Sequence, residues 1–126
     1  MELGLGIHGE PGLSRSKLAT ADNVATELLQ AILADLDIAS GDRVVVLVNS
    51  LGSTTMMELY LVFRKTAQLL EERGIRIHRS YVGPYVTSME MGGCSLTIMK
   101  LDDELAELID RPADCPALTQ REGRSD

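Results

Sequence analysis

Arg43-Val-Val-Val-Leu-Val48 is the stretch on which the fold turns. A continuous β-branched run of this kind suits a strand covered on both faces, which is the usual situation in parallel sheets. On its amino side, Asp37 to Asp42 with Ser40-Gly41 predicts a turn. Before that turn, Val24, Ala25, Leu28, Leu29, Ile32, Leu33 and Leu36 repeat at the three-and-four spacing of a helical face starting at Ala21, with Thr20 or Ser16 as the cap. On its carboxyl side, Asn49 to Thr55 is a polar loop. A second helix then runs through Met57, Leu59, Tyr60, Phe63, Ala67 and Leu70 and stops at Gly74.

Further out, Ile75 to Val82 reads as another strand, Gly83-Pro84 turns the chain, and Cys94 to Met99 alternates as a strand. Asp102 caps a short helix that ends before Pro112. At the start, Leu3, Leu5 and Ile7 alternate with Gly4, Gly6 and His8, which predicts a short first strand. The order predicts a single layered α/β domain over residues 1–112, with a mostly parallel or mixed sheet flanked by helices. Residues 113–126 are expected to form a flexible tail. A parallel, right-handed crossover from the first strand to the second would bring His8, Asn49 to Thr54 and Gly83 to Ser88 to one sheet edge. Ligands of open α/β sheets bind at that edge.

Composition narrows the function classes. The 126 residues are 44% hydrophobic and 25% charged, with three Tyr, one Phe and no Trp, so the core is aliphatic and platforms for stacking bases are scarce. A net charge of −7 argues against nucleic acid and anionic membranes as partners. No uninterrupted apolar run is longer than Val44 to Val48, and no basic segment precedes an apolar one at the start, so neither a membrane span nor a leader is expected and the chain reads as cytoplasmic. Cys94 and Cys115 are isolated and favour reduced thiols, and with His8 and His78 they make no metal-ligand spacing.

Gly4-x-Gly6-x-x-Gly9 matches the dinucleotide-binding expression but lacks the strand before it and the helix after it, since Pro11 and Gly12 follow. No phosphate loop and no hydrolase elbow are present, so no cofactor is expected in this chain. His8 stands out because it closes a glycine-rich strand at the expected ligand edge. His78, among Arg73, Arg76 and Arg79, reads as part of a solvated basic face. Asn49, Ser50, Gly52, Ser53 and Thr54 suit either an anion at a helix start or plain capping. Glu58 and Glu90 are bases only in principle, and Met56, Met57, Met89 and Met91 read as core filler.

Three blocks together carry a resemblance: Met1-Glu-Leu-Gly-Leu-Gly-Ile-His-Gly-Glu-Pro-Gly12; Val48-Asn-Ser-Leu-Gly52 with Met57-Glu-Leu-Tyr60; and Tyr81-Val-Gly-Pro-Tyr-Val-Thr-Ser-Met-Glu-Met-Gly92 before Cys94-Ser-Leu-Thr-Ile-Met-Lys-Leu-Asp102. From Met1 to about Asp110 the chain resembles the dihydroxyacetone kinase family, in the second half of its dihydroxyacetone-binding subunit. The resemblance implies that His8 binds the ketone covalently as a hemiaminal, with Gly6, Gly9 and Glu10 against the substrate and Gly4, Gly6 and Gly9 giving room for its close approach. A neutral imidazole has a lone pair that adds to a carbonyl, and glycerol, which has no carbonyl, is excluded by that chemistry.

The resemblance further implies a partner amino-terminal half with acid and base residues. It also implies a nucleotide-binding kinase subunit or domain carrying ATP, or ADP with Mg, and a homodimer. A non-catalytic dihydroxyacetone sensor or a scaffold domain is the alternative. Whether Glu10 or a backbone carbonyl fixes the tautomer of His8 is left open by the sequence.

Overall fold

The computed structural model describes residues 1–6 and 8–121. Ile7, the third apolar position of the expected first strand, and residues 122–126 of the expected tail lie outside the described residues.

The main sheet has the order β4-β3-β5, with β3 (Arg43–Ser50) central, β4 (Arg76–Gly83) parallel to it and β5 (Cys94–Leu101) antiparallel. The valine run supplies both faces of the central strand. Val44, Val46 and Val48 are fully buried on one face, where Ala25 and Leu29 of α1 (Ala21–Asp35) and Leu59, Val62, Leu69 and Leu70 of α2 (Met56–Glu72) join them. On the opposite face Val45 packs with Leu101, Ala106 and Tyr81 beneath α3 (Asp103–Asp110). The fold is mixed α/β, as the alternation of strands and amphipathic helices predicts.

The helix ends follow their residues. Thr20 accepts the Asn23 N–H at 3.3 Å and caps α1. At α2, Thr55 and Glu58 form a reciprocal capping box, with the Thr55 N–H donating to Glu58 Oε2 at 2.8 Å. Asp102 accepts the Leu105 N–H at 2.8 Å and starts α3. Gly74, at φ +70°, lets Ile75 donate back to the Leu70 carbonyl at 2.9 Å, so α2 stops there and β4 begins at once. The register between β3 and β4 shifts at Val44/Val45, where Ile77 and Arg79 face consecutive valines and His78 is the extra residue.

Two expectations are corrected. The first strand is only Glu2–Leu3 (β1), and it pairs antiparallel with Ser14–Arg15 (β2) in a separate ribbon rather than parallel to β3. Gly4, at φ +75°, turns the chain out of the extended region after two residues, and the Leu13 N–H donates to the Leu3 carbonyl at 2.7 Å. The parallel crossover is therefore β3–α2–β4. The second correction concerns the described part of the expected flexible tail, residues 113–121: Ala113–Cys115 (β6) and Leu118–Gln120 (β7) form an antiparallel ribbon. Gln120 anchors it by accepting from the Tyr81 hydroxyl at 2.6 Å and donating to the carbonyls of Ile109 and Arg111 at 2.6 and 2.8 Å.

Candidate functional site

The carboxyl ends of β3 and β4 carry the polar loop that the sequence offers as an anion site or a cap. The structure spends its donors internally. Asn49 is 2% exposed. Its Oδ1 accepts the N–H groups of Tyr85 and Val86, both at 2.8 Å, while its Nδ2 donates to the Val86 carbonyl at 2.8 Å and to Ser95 Oγ at 3.3 Å. Ser50 Oγ donates to the Thr54 carbonyl at 2.8 Å and accepts the Gly52 N–H at 3.1 Å. Thr54 Oγ1 accepts the Gly93 N–H at 2.8 Å, and Ser53 Oγ donates to the Glu90 carbonyl at 3.2 Å. An asparagine amide offers two donors and two acceptors, and all four are used here, three to lace the loop after β4 onto the end of β3 and one to reach Ser95 of β5.

Glu58 belongs to the α2 cap rather than to a base. The Thr55 N–H and then its hydroxyl hold the Glu58 carboxyl below its ordinary value. His78 is likewise partnered: its Nε2 lies 2.8 Å from Asp110 Oδ2 while Arg79 grips Oδ1 of the same carboxylate at 2.6 and 2.9 Å. That trio ties the β4 bulge to the end of α3, in place of the solvated basic face expected for His78. Arg79 first and His78 second hold Asp110 below the usual carboxylate range. Burial pushes the Cys94 thiol up. Among the described residues no group of three His, Cys, Asp or Glu side chains is placed to hold a metal ion, and no helix is long and apolar enough to cross a membrane.

His8, Gly6, Gly9 and Glu10 do come together, on the amino-terminal ribbon. The His8 side chain is 88% exposed, with Nδ1 3.7 Å from Glu10 Oε1. Its backbone N–H donates to Glu10 Oε2 at 3.1 Å, the Gly6 N–H donates to the Glu10 carbonyl at 3.1 Å, and the Gly9 N–H donates to the Gly6 carbonyl at 3.0 Å. Among the described residues, the hydrogen bonds of residues 1–19 all close within that stretch. The expected meeting of His8 with Asn49 to Thr54 and Gly83 to Ser88 on one edge is not formed by any hydrogen bond or ion pair, because β1 lies outside the main sheet.

The glycines also divide differently from the expectation of room beside a ligand. A side chain at Gly4 would strike Leu13 and one at Gly6 would strike Glu10, so of these three Gly9 alone, at φ +85°, faces open space within 4 Å. Sequence reasoning missed the Asn49 clamp. Its only sequence signal is a polar residue ending an otherwise apolar strand.

Fold and site together define a small mixed α/β domain that carries a solvent-facing imidazole on a glycine-rich ribbon. The Dak1 domain model matches residues 1–117, and the chain belongs to this family, that of the dihydroxyacetone kinases. It is 42% identical over 116 residues to the PTS-dependent dihydroxyacetone kinase 2, dihydroxyacetone-binding subunit DhaK, of Listeria innocua, covering 92% of this chain and 35% of that one. It is 47% identical over 117 residues to a D-erythrulose kinase of Mycolicibacterium smegmatis, covering 93% of this chain and 20% of that one. A solved structure described as "Regulation of the dha operon of Lactococcus lactis" superposes with a TM-score of 0.84 at 34% identity, covering 93% of this chain and 37% of that one. The chain thus spans about a third of the Listeria subunit and about a fifth of the erythrulose kinase.

Proposed function

We propose that this chain is the second half of a dihydroxyacetone-binding subunit, in which His8 holds dihydroxyacetone as a covalent hemiaminal for phosphoryl transfer to dihydroxyacetone phosphate. The observation that carries the reading is the imidazole itself. It is 88% exposed beside Gly9, whose Cα faces open space, in a chain of this family. A side chain kept that free of packing is open to a ketone carbon.

In the addition, the lone pair of one ring nitrogen forms the N–C bond as the carbonyl π pair moves to oxygen. The proton on the other ring nitrogen is released and a proton is taken up by the new alkoxide, so the adduct is neutral and no co-reactant is consumed. The acid and base residues acting on the substrate hydroxyl come from the amino-terminal half. The phosphoryl group comes from a nucleotide held with Mg on a separate subunit or domain, either ATP itself or bound ADP rephosphorylated by a phosphotransferase protein, and the assembly is a homodimer.

The test is titration of dihydroxyacetone, labelled with carbon-13 at the carbonyl, into the chain, followed by NMR with His8→Ala as control. The ketone signal is expected to give way to a saturated-carbon signal only when His8 is present. An unchanged ketone signal with the wild-type chain overturns the reading. Because a D-erythrulose kinase is also a relative, the same titration with erythrulose measures which ketose is preferred.

A sensor is the second reading. It is favoured by the likeness to the Lactococcus lactis structure described by operon regulation. Capture of a DNA-binding protein in a dihydroxyacetone-dependent manner would support it over the kinase, and capture of a matching amino-terminal half would support the kinase.

A further inference from the structure

Residues 4, 6, 9 and 12 are glycines, and one of them is accounted for by a carboxylate. A Cβ placed on Gly6 would lie 1.9 Å from Glu10 Oε2 and 2.7 Å from both Cβ and Cδ of Glu10. The Glu10 side chain therefore lies directly across the Gly6 backbone, and any side chain at position 6 would expel it.

Backbone groups hold it there. The His8 N–H donates to Oε2 at 3.1 Å, and the Gly6 N–H donates to the Glu10 carbonyl at 3.1 Å. With Oε2 engaged by the main chain, Oε1 is left 3.7 Å from Nδ1 of the His8 ring. That separation is longer than a hydrogen bond, but a modest rotation of the exposed ring closes it. Which ring nitrogen keeps the proton is decided by the partner of the other, and a carboxylate beside Nδ1 stabilises the N–H there.

Resting on the hemiaminal reading of His8, we propose that Glu10 is a positioning residue that keeps the neutral ring protonated on Nδ1 and its Nε2 lone pair facing solvent, and that Gly6 exists to admit the Glu10 carboxylate. During addition to a ketone, Nε2 forms the new bond to carbon. The proton released from Nδ1 passes to the Glu10 carboxylate and on to water, while the former carbonyl oxygen takes a proton from water. Glu10 ends as it began. A backbone carbonyl at Nδ1 would stabilise the same tautomer but would not accept that proton.

The chain has only two histidines, so the ring nitrogens are resolvable in the intact protein labelled with nitrogen-15. Long-range proton–nitrogen NMR spectra at about pH 8.5, where an ordinary imidazole is neutral, report the tautomer directly. His8→Ala assigns the signals, and His78, held by Asp110, reports folding in the same spectra.

The wild type is expected to carry its proton on Nδ1 of His8. In Glu10→Gln, and independently in Gly6→Ala, which displaces the carboxylate without altering it, the population should move toward Nε2–H. Hemiaminal formation with carbonyl-labelled dihydroxyacetone should weaken about tenfold in both, by analogy with the lower end of what loss of a carboxylate behind a metal-ligating histidine causes. A wild-type His8 protonated on Nε2, or identical His8 nitrogen shifts in the wild type and both variants, overturns the role of Glu10 even if the adduct forms. A tautomer change on substitution with no adduct in the wild type upholds the role of Glu10 and overturns the hemiaminal reading instead.

Discussion

Replacing Asn49 by Ala should release the loop after β4 from the end of β3 while leaving the sheet itself in place. Three of the amide's hydrogen bonds are 2.8 Å long, to the N–H groups of Tyr85 and Val86 and to the Val86 carbonyl; the fourth, to Ser95 Oγ, is 3.3 Å. Each good intramolecular bond is worth about 1 kcal/mol net, and unpaired groups left out of water cost somewhat more. Three short bonds therefore give roughly 3 kcal/mol, a large share of the ~5–15 kcal/mol that holds an ordinary domain together. For a chain of this size that corresponds to a Tm lower by roughly 10 °C.

The assay is urea unfolding followed by circular dichroism, together with amide exchange at Tyr85 and Val86, whose protons should be protected in the wild type and exposed in Asn49→Ala. Ser95→Ala removes only the long contact and should cost less than about 1 kcal/mol. If Asn49→Ala lies within about 0.5 kcal/mol of the wild type, the size of an ordinary surface substitution, the clamp does not hold the loop. Unchanged exchange at Tyr85 and Val86 would refute the reasoning in the same way.

Three further outcomes follow from the packing and the charges. Arg79 and then His78 hold Asp110 below its ordinary value, so its contribution is present above the unfolded carboxyl value near pH ~4 and is lost as pH falls through the lower folded value. The urea midpoint of Asp110→Asn should therefore drop less between neutral pH and pH ~3 than that of the wild type, and parallel curves would contradict the pairing. Gly52→Ala should cost more than Gly41→Ala, by at least about 1 kcal/mol in urea titrations. Both positions have positive φ, but the new Cβ at 52 would sit 2.5 Å from the Ser88 carbonyl oxygen whereas at 41 it meets nothing within 4 Å. Equal losses would mean that the 85–91 loop moves aside without cost. With an aromatic disulfide reagent at pH ~8, one thiol should react fast and one slowly, because Cys115 is exposed while burial raises the Cys94 thiol. Cys115→Ser should abolish the fast phase, and a fast phase that survives it would place Cys94 at the surface.

Much of the architecture was legible because its causes are local. The valine run, the three-and-four spacing of α1 and α2, the Thr20 and Asp102 caps and the Gly74 stop are all interactions between residues a few positions apart, so they are written into the chain before it folds. His8 and Glu10 were legible as a neighbourhood for the same reason, being two residues apart on a turn.

What the tertiary structure decided is which elements meet. A period of two at Leu3 and Leu5 announces extended chain but not its partner, and the partner proved to be Ser14–Arg15 rather than β3. The carboxyl-terminal ribbon rests on Gln120 reaching Tyr81, 39 residues earlier. His78 found Asp110 32 residues away. Asn49 found Tyr85 and Val86 across a parallel crossover. Gly6 and Gly9 look alike in the chain, yet one lies under a carboxylate and the other faces open space. Periodicity and capping belong to the backbone's own geometry and can be read residue by residue. The pairing of a polar group, and the space beside a glycine, depend on whatever the completed fold brings alongside.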